Sequence, residues 1–197
     1  MTTTSDTYRA NVPQIDEREV GDPELVDVIE RAAVTKSPPP QWYRTMGNNP
    51  EVAKAFASYW DLLHRGGTVP HEIKELARIQ IAQMIGCEFC ARQVSPLAEI
   101  DEETKLACAL PGWEHPDPRT RAALHYARTL TLDDGRDEEV YAELAEHYSP
   151  AEIVELAAFF CLTMGGNRMA KSWGIEPHVG GVIPEEAMSI HGAGAVH

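Results

Sequence analysis

A chain of 197 residues can bury a hydrophobic core without metal or disulfide staples, so its four cysteines are not needed to hold it together. Its 31 Asp and Glu against 17 Lys and Arg give a net charge of −14, which repels phosphate backbones and anionic membrane surfaces and argues against nucleic acid as a partner. The start, MTTTSDTYRA, has no basic region ahead of an apolar run, and no stretch has the length of a membrane span, so the expectation is a soluble, cytoplasmic protein with no membrane partner.

Residues 1–20 are polar and aperiodic and read as an arm, either loose or laid across a neighbouring subunit. Asp22-Pro23 then gives an N-cap and a first-turn proline, and Leu25, Val28, Ile29 and Ala32 recur at helical spacing as far as Lys36. Pro38-Pro39-Pro40 predicts an extended connector, followed by an apolar patch of Trp42, Tyr43 and Met46. A helix from Asn49-Pro50 carries Val52, Ala55, Phe56, Tyr59, Trp60 and Leu63 on one face and stops at Gly66-Gly67. Pro70 opens the next, with Ile73, Leu76, Ala77, Gln80, Ile81 and Met84 in one stripe, Arg78 toward its edge and an end near Gly86. A short helix begins at the cysteines and breaks before Pro96. Further helices are predicted from Asp101 through Cys108, over Arg119 to Leu132, Glu138 to Tyr148 and Pro150 to Trp173. No alternating β-branched run appears, so the fold class is all-α, a helical bundle over residues 21–173 with a tail at 174–197.

The bundle has an internal repeat. Pro70–Ala77 reappears eighty residues later as Pro150–Ala157, with Pro, Glu, Ile, Glu, Leu and Ala in common. In that register Gly86 falls on Gly166, Cys87 on Asn167 and Cys90 on Ala170, so the second copy keeps the helix and lacks the thiols. Ser149 and Glu152 have capping-box spacing, where the first copy has Val69 at the cap position.

Cys87-Glu88-Phe89-Cys90 is the motif with chemistry. Two thiols at this spacing meet across one helical turn and suit a redox dithiol; half a zinc site and two buried hydrophobes are the other readings. Zinc needs more ligands than the scattered histidines and the isolated Cys108 and Cys161 offer, so no metal is expected, and Cys108 and Cys161 read as small core residues. At the start of a helix, backbone N–H groups favour thiolate at Cys87 and Cys90. Glu75 lies twelve residues before Cys87, about 18 Å along a straight helix, so it reaches the thiols only if the chain reverses at Gly86. It reads either as a solvated helix charge or as a proton relay to a thiol; Glu72 reads as solvated. No glycine-rich phosphate loop follows a strand, and no cofactor is expected.

Glu75, eleven residues, then Cys87-Glu88-Phe89-Cys90 after an apolar helix ending in glycine, resembles the alkylhydroperoxidase D-like group of the carboxymuconolactone decarboxylase superfamily. The resemblance spans roughly residues 40 to 175. It includes Asn49-Pro50-Glu51, Gly66, Ser149-Pro150 and Gly166-Asn167-Arg168. It implies Glu75 as proton acceptor, Cys87 and Cys90 as a cycling disulfide, a peroxide substrate, an external thiol reductant, and a homo-oligomer, trimer or hexamer. The family's peroxidases place a histidine four residues after the second cysteine, where this chain has Val94; the position between the cysteines, sometimes histidine or tyrosine, is Phe89. An imidazole must then come from elsewhere, from a remote residue such as His125 or His147, or Glu75 must reach the thiols directly or through water. The leading expectation is a thiol-dependent peroxidase or disulfide reductase. The alternatives are a cofactor-free lyase or isomerase on a small organic acid, with Glu75 as base, and a non-enzymatic redox-sensing oligomer.

Overall fold

The structure, a computed structural model, describes residues 10–133 and 137–175; most of the tail, at 176–197, and the first part of the arm lie outside the described residues. Among these residues every regular element is a helix. Most begin at a side chain that accepts the first free backbone N–H groups, a contribution of about 1 kcal/mol each. Asp16 opens α1 (Glu17–Val20) and Asp22 opens α2 (Pro23–Thr35), accepting from Glu24 N and Leu25 N. The proline run differs from the expectation of an extended connector. Pro39 is extended, but Pro40 takes the first position of α3 (Pro40–Met46), where its missing N–H costs nothing. Trp42, Tyr43 and Met46 are buried on that helix. Asn49 caps α4 (Pro50–Trp60), which runs on as a π-helical turn, Asp61–Arg65, closed by Gly66 N on Asp61 O at 2.9 Å.

Next come α5 (His71–Ile85), α6 (Glu88–Arg92), α7 (Glu102–Ala107), α8 (Pro118–Leu132), α9 (Glu138–His147) and α10 (Pro150–Trp173). Asp101, Asp117 and Asp137 cap α7, α8 and α9, and Ser149 with Glu152 forms the expected capping box on α10. The first copy of the repeat departs from the second here. Pro70, not Val69, stands at the cap of α5 and makes no side-chain bond.

α5 is the central helix, packed against α6, α8 and α10, and every residue from Ile73 to Ile85 is buried. A helix read as one apolar stripe with Arg78 at its edge is therefore enclosed all round, with Arg78 inside. Its polar residues tolerate burial because each finds a partner: Lys74 binds Glu155, Gln80 donates to Cys108 O, and Gln83 donates to Lys105 O. Two other expectations change. Cys108 is buried, its thiol pushed up to about 12 by burial, but Cys161 is exposed on the outer face of α10. The described part of the arm lies on its own chain, Asn11 N and Val12 N donating to Trp173 O and Ile15 N to Arg44 O. At the other end, Gly174 caps α10 with φ 64° and Ile175 is buried. Among the described residues no helix is long and apolar enough to cross a membrane.

Candidate active site

Gly86 ends α5 in the left-handed region, φ 70°, which a residue with a side chain enters at a cost of about 1 kcal/mol. Cys87 N then donates to Ala82 O, and the chain reverses into α6. Cys87 stands at the cap of α6, its Sγ accepting from Cys90 N at 3.3 Å, and is joined to Cys90 in a disulfide with Cα atoms 5.3 Å apart. The two cysteines line different cavities. Cys90 lines an apolar pocket walled by Trp42, Phe56, Trp60 and Phe89, with about 360 Å³ of empty space, part of it open to solvent. Cys87 lines a separate depression with Gly86, Lys171 and Ile175.

The reversal brings Glu75 to the segment that follows the thiols. Its side chain is fully buried and its acceptor positions are filled: Oε2 by His64 Nε2 at 2.7 Å and Arg78 Nε at 2.8 Å, Oε1 by Arg78 Nη2 at 2.9 Å and Ser95 N at 2.7 Å. Burial alone would raise its pKa; the Arg78 guanidinium and the His64 bond outweigh that and hold the carboxyl well below the usual range. Arg78 also reaches the thiol segment, donating through Nη1 to Cys90 O at 2.8 Å and through Nη2 to Gln93 O. One cation thus neutralises Glu75 and fixes the carbonyls around Cys90.

His64 is the site residue that the sequence reasoning missed. The π-helical turn places it in the core, stacked on Phe159 at 5.2 Å and against Trp60 at 4.9 Å. Burial pushes its pKa down to about 4 despite the pull of Glu75, so near neutral pH the imidazole is uncharged. An ionised carboxylate only accepts, which puts the proton on Nε2 and leaves Nδ1 as an acceptor with no partner. His71 extends the group, donating from Nδ1 to His64 O at 3.0 Å and meeting Ser95 Oγ with Nε2 at 2.8 Å.

The histidines expected from elsewhere do not join. His125 on α8 meets Glu143 of α9 at 2.8 Å, because α9 packs on the outer side of α8, and His147 ends α9. Val94 is half-buried and packs into the apolar core, as its side chain requires. Glu72 is exposed and Glu88 is exposed beside Arg92. Among the described residues no three His, Cys, Asp or Glu side chains are grouped to hold a metal ion.

No family model matches the chain. An uncharacterized protein of Bacillus subtilis, YdfG, is 28% identical over 107 residues, 51% of this chain and 73% of that protein. Among solved structures, a variant of the debrominase Bmp8 in complex with 2,3,4-tribromopyrrole matches with a TM-score of 0.75 at 21% identity, over 88% of this chain and 95% of that one. An uncharacterized peroxidase-related protein from Silicibacter sp. TM1040 matches at 0.71 and 18%, over 91% and 96%. An uncharacterized peroxidase-related protein from Ralstonia eutropha JMP134, an alkylhydroperoxidase core, matches at 0.67 and 19%, over 86% and 93%. The helical order and these likenesses agree on the fold: the chain has the alkylhydroperoxidase D-like helical fold.

Proposed function

We propose that the chain is a thiol-dependent peroxidase that cycles Cys87 and Cys90 between dithiol and disulfide. The observation that carries this reading is a Cys-x-x-Cys pair closed at a pocket wall, next to a buried Glu75–His64–Arg78 group. Cys90 lines the pocket, so its thiolate attacks the peroxide: an S–O bond forms, the O–O bond breaks, and the leaving oxygen takes a proton to become an alcohol or water. The Cys87 thiolate then displaces hydroxide from the Cys90 sulfenic acid, which leaves as water, and the disulfide closes. An external dithiol reopens it, and the depression beside Cys87 gives a thiol access away from the substrate pocket.

In this reading Glu75 is the proton acceptor for the dithiol, reached across the Arg78 guanidinium that binds both its carboxylate and the Cys90 carbonyl. The acceptor positions of Glu75 are occupied, so the carboxylate takes up a proton as His64 gives way, and the open acceptor is His64 Nδ1. A stoichiometric peroxide pulse on the reduced chain should consume two thiols, and Cys87→Ser and Cys90→Ser should each abolish turnover. Unchanged peroxide consumption in both variants overturns the proposal; a shift in assembly mass on oxidation without turnover favours redox sensing instead.

A second reading, removal of halogen from an aromatic ring, is favoured by the aromatic walls and by the fold shared with Bmp8. It uses the same two electrons: a ring C–Br bond becomes C–H, bromide leaves, and the dithiol becomes the disulfide. Bromide release from 2,3,4-tribromopyrrole, set against peroxide consumption, separates the two. A small organic acid fits less well, because the Arg78 charge at the pocket wall is already matched by Glu75.

A further inference from the structure

Trp42 Nε1, Gln93 Nε2, Thr163 Oγ1 and Asn167 Nδ2 are buried polar atoms with no hydrogen-bond partner in the protein, and all four residues line the pocket at Cys90. Their relative exposures are 3%, 8%, 1% and 4%, so bulk solvent does not satisfy them either. Folded proteins leave few buried polar groups unpaired, and four around one pocket mark a place where a ligand completes them. They also constrain its chemistry. The amides of Gln93 and Asn167 can turn to offer N–H or oxygen, and the Thr163 hydroxyl gives or takes, but an indole N–H only donates. The ligand must therefore carry at least one acceptor. The Trp42 edge that bears Cζ2 and Cη2 faces Gly166 of α10, the helix that also holds Thr163 and Asn167.

The rest of the wall is mainly apolar and aromatic. Phe56 is in ring contact with both Trp42, at 5.3 Å, and Trp60, at 5.8 Å, with Phe89, Pro38 and Pro39 completing the wall. Aromatic faces of this kind hold another ring by stacking and edge contacts. The charged side chain at the pocket, Arg78, gives its donors to Glu75, Cys90 O and Gln93 O, so nothing there compensates an anion.

We infer that the pocket binds a neutral aromatic molecule bearing a hydrogen-bond acceptor, with the ring against Trp42, Phe56 and Trp60 and the acceptor on Trp42 Nε1, Thr163 and Asn167. For its chemistry this rests on the peroxidase reading, under which the substrate class is an aryl-substituted hydroperoxide. The Cys90 thiolate takes the distal oxygen, the O–O bond breaks, and the aryl carbinol leaves with a proton; an external dithiol returns the two electrons.

The test uses the full chain and two readouts. Tryptophan fluorescence titration of the oxidised protein should give at least tenfold tighter binding of 2-phenylpropan-2-ol than of 2-methylpropan-2-ol or benzoate. Trp42→Phe, which keeps the ring and removes the donor, should weaken the aryl alcohol at least threefold, and Thr163→Val serves the same purpose if that variant does not fold. In turnover, kcat/KM for cumene hydroperoxide should exceed that for tert-butyl hydroperoxide at least tenfold. Equal binding of the two alcohols, tighter binding of benzoate, or peroxide turnover without aryl preference overturns the pocket assignment. Selective binding of the aryl alcohol with no peroxide turnover supports the pocket assignment and removes the peroxidase reading alone.

Discussion

The two helices that share the Pro-x-Glu-Ile-x-Glu-Leu-Ala pattern put the same glutamate to different uses. Glu75 on α5 is wholly enclosed and bound to His64, Arg78 and Ser95 next to the thiol segment. Glu155 on α10 keeps an edge in solvent, accepts from Lys74 Nζ at 2.8 Å, and takes the N–H groups of Thr68 and Val69, which ties α10 to the loop ahead of α5. In both cases the paired cation comes from α5. The helices part downstream, where Gly86 turns left-handed and folds the cysteines back over Glu75, whereas Gly166 stays helical and α10 runs on to Trp173. A repeated helix sets its glutamate beside a Cys-x-x-Cys turn in one copy and clamps a loop in the other, according to what its glycine does.

The largest test of that contrast removes each cation. Arg78→Met strands a fully buried carboxylate and should cost about 3–5 kcal/mol in denaturant unfolding, with slower disulfide formation under peroxide. Lys74→Met leaves Glu155 its backbone donors and some water and should cost about 1–3 kcal/mol with thiol oxidation unchanged. Equal costs, or loss of thiol oxidation in both, would erase the distinction.

pH separates the two glutamates next. His64 is lowered from 6.5 to about 4 by burial, so between those values the unfolded chain holds a proton that the folded chain refuses. Stability should therefore fall as pH drops from about 6.5 toward 4, by up to about 3 kcal/mol. Glu75 and Glu155 are both held below their ordinary value, so their contributions are complete above about 4.5 and are lost only below it. The loss above 4.5 thus reports the Glu75 side alone. His64→Gln should flatten it in thermal unfolding followed across pH, and an unchanged slope would show that this imidazole does not titrate with folding.

The smallest effect sharpens the comparison of the glycines themselves. Gly166→Ala gains helix propensity, about 0.5–1 kcal/mol, since the added methyl meets Trp42 Cη2 at an ordinary 3.7 Å. Gly86→Ala, at φ 70°, should lose about 1–2 kcal/mol. Thermal melts with the same sign for both would mean that the two positions are not different after all.

The helix starts were legible because their signals are local: Asp22, Asn49, Asp101 and Ser149 cap the helices they precede. The thiols and Glu75 were legible as a spacing. The burial of α5 was not, because Lys74, Arg78, Gln80 and Gln83 look like a solvent face until partners from α6, α10 and α7 with its C-cap arrive from distant sequence. His64 was hidden beside Gly66-Gly67, which reads as the end of a helix. Its one signal was the i, i+4 relation to Trp60, whose ring it touches.

The π-helical turn that carries His64 holds one residue more than α-helical winding needs. Losing a single codon between positions 61 and 65 would restore ordinary winding and shift the following register by about 100°, swinging the imidazole off Glu75 while leaving Glu75, Cys87 and Cys90 untouched. A lineage can therefore gain or shed this group through chain length alone. In an alignment of descendants the event would show as a gap in a loop-like column, not as the replacement of a histidine.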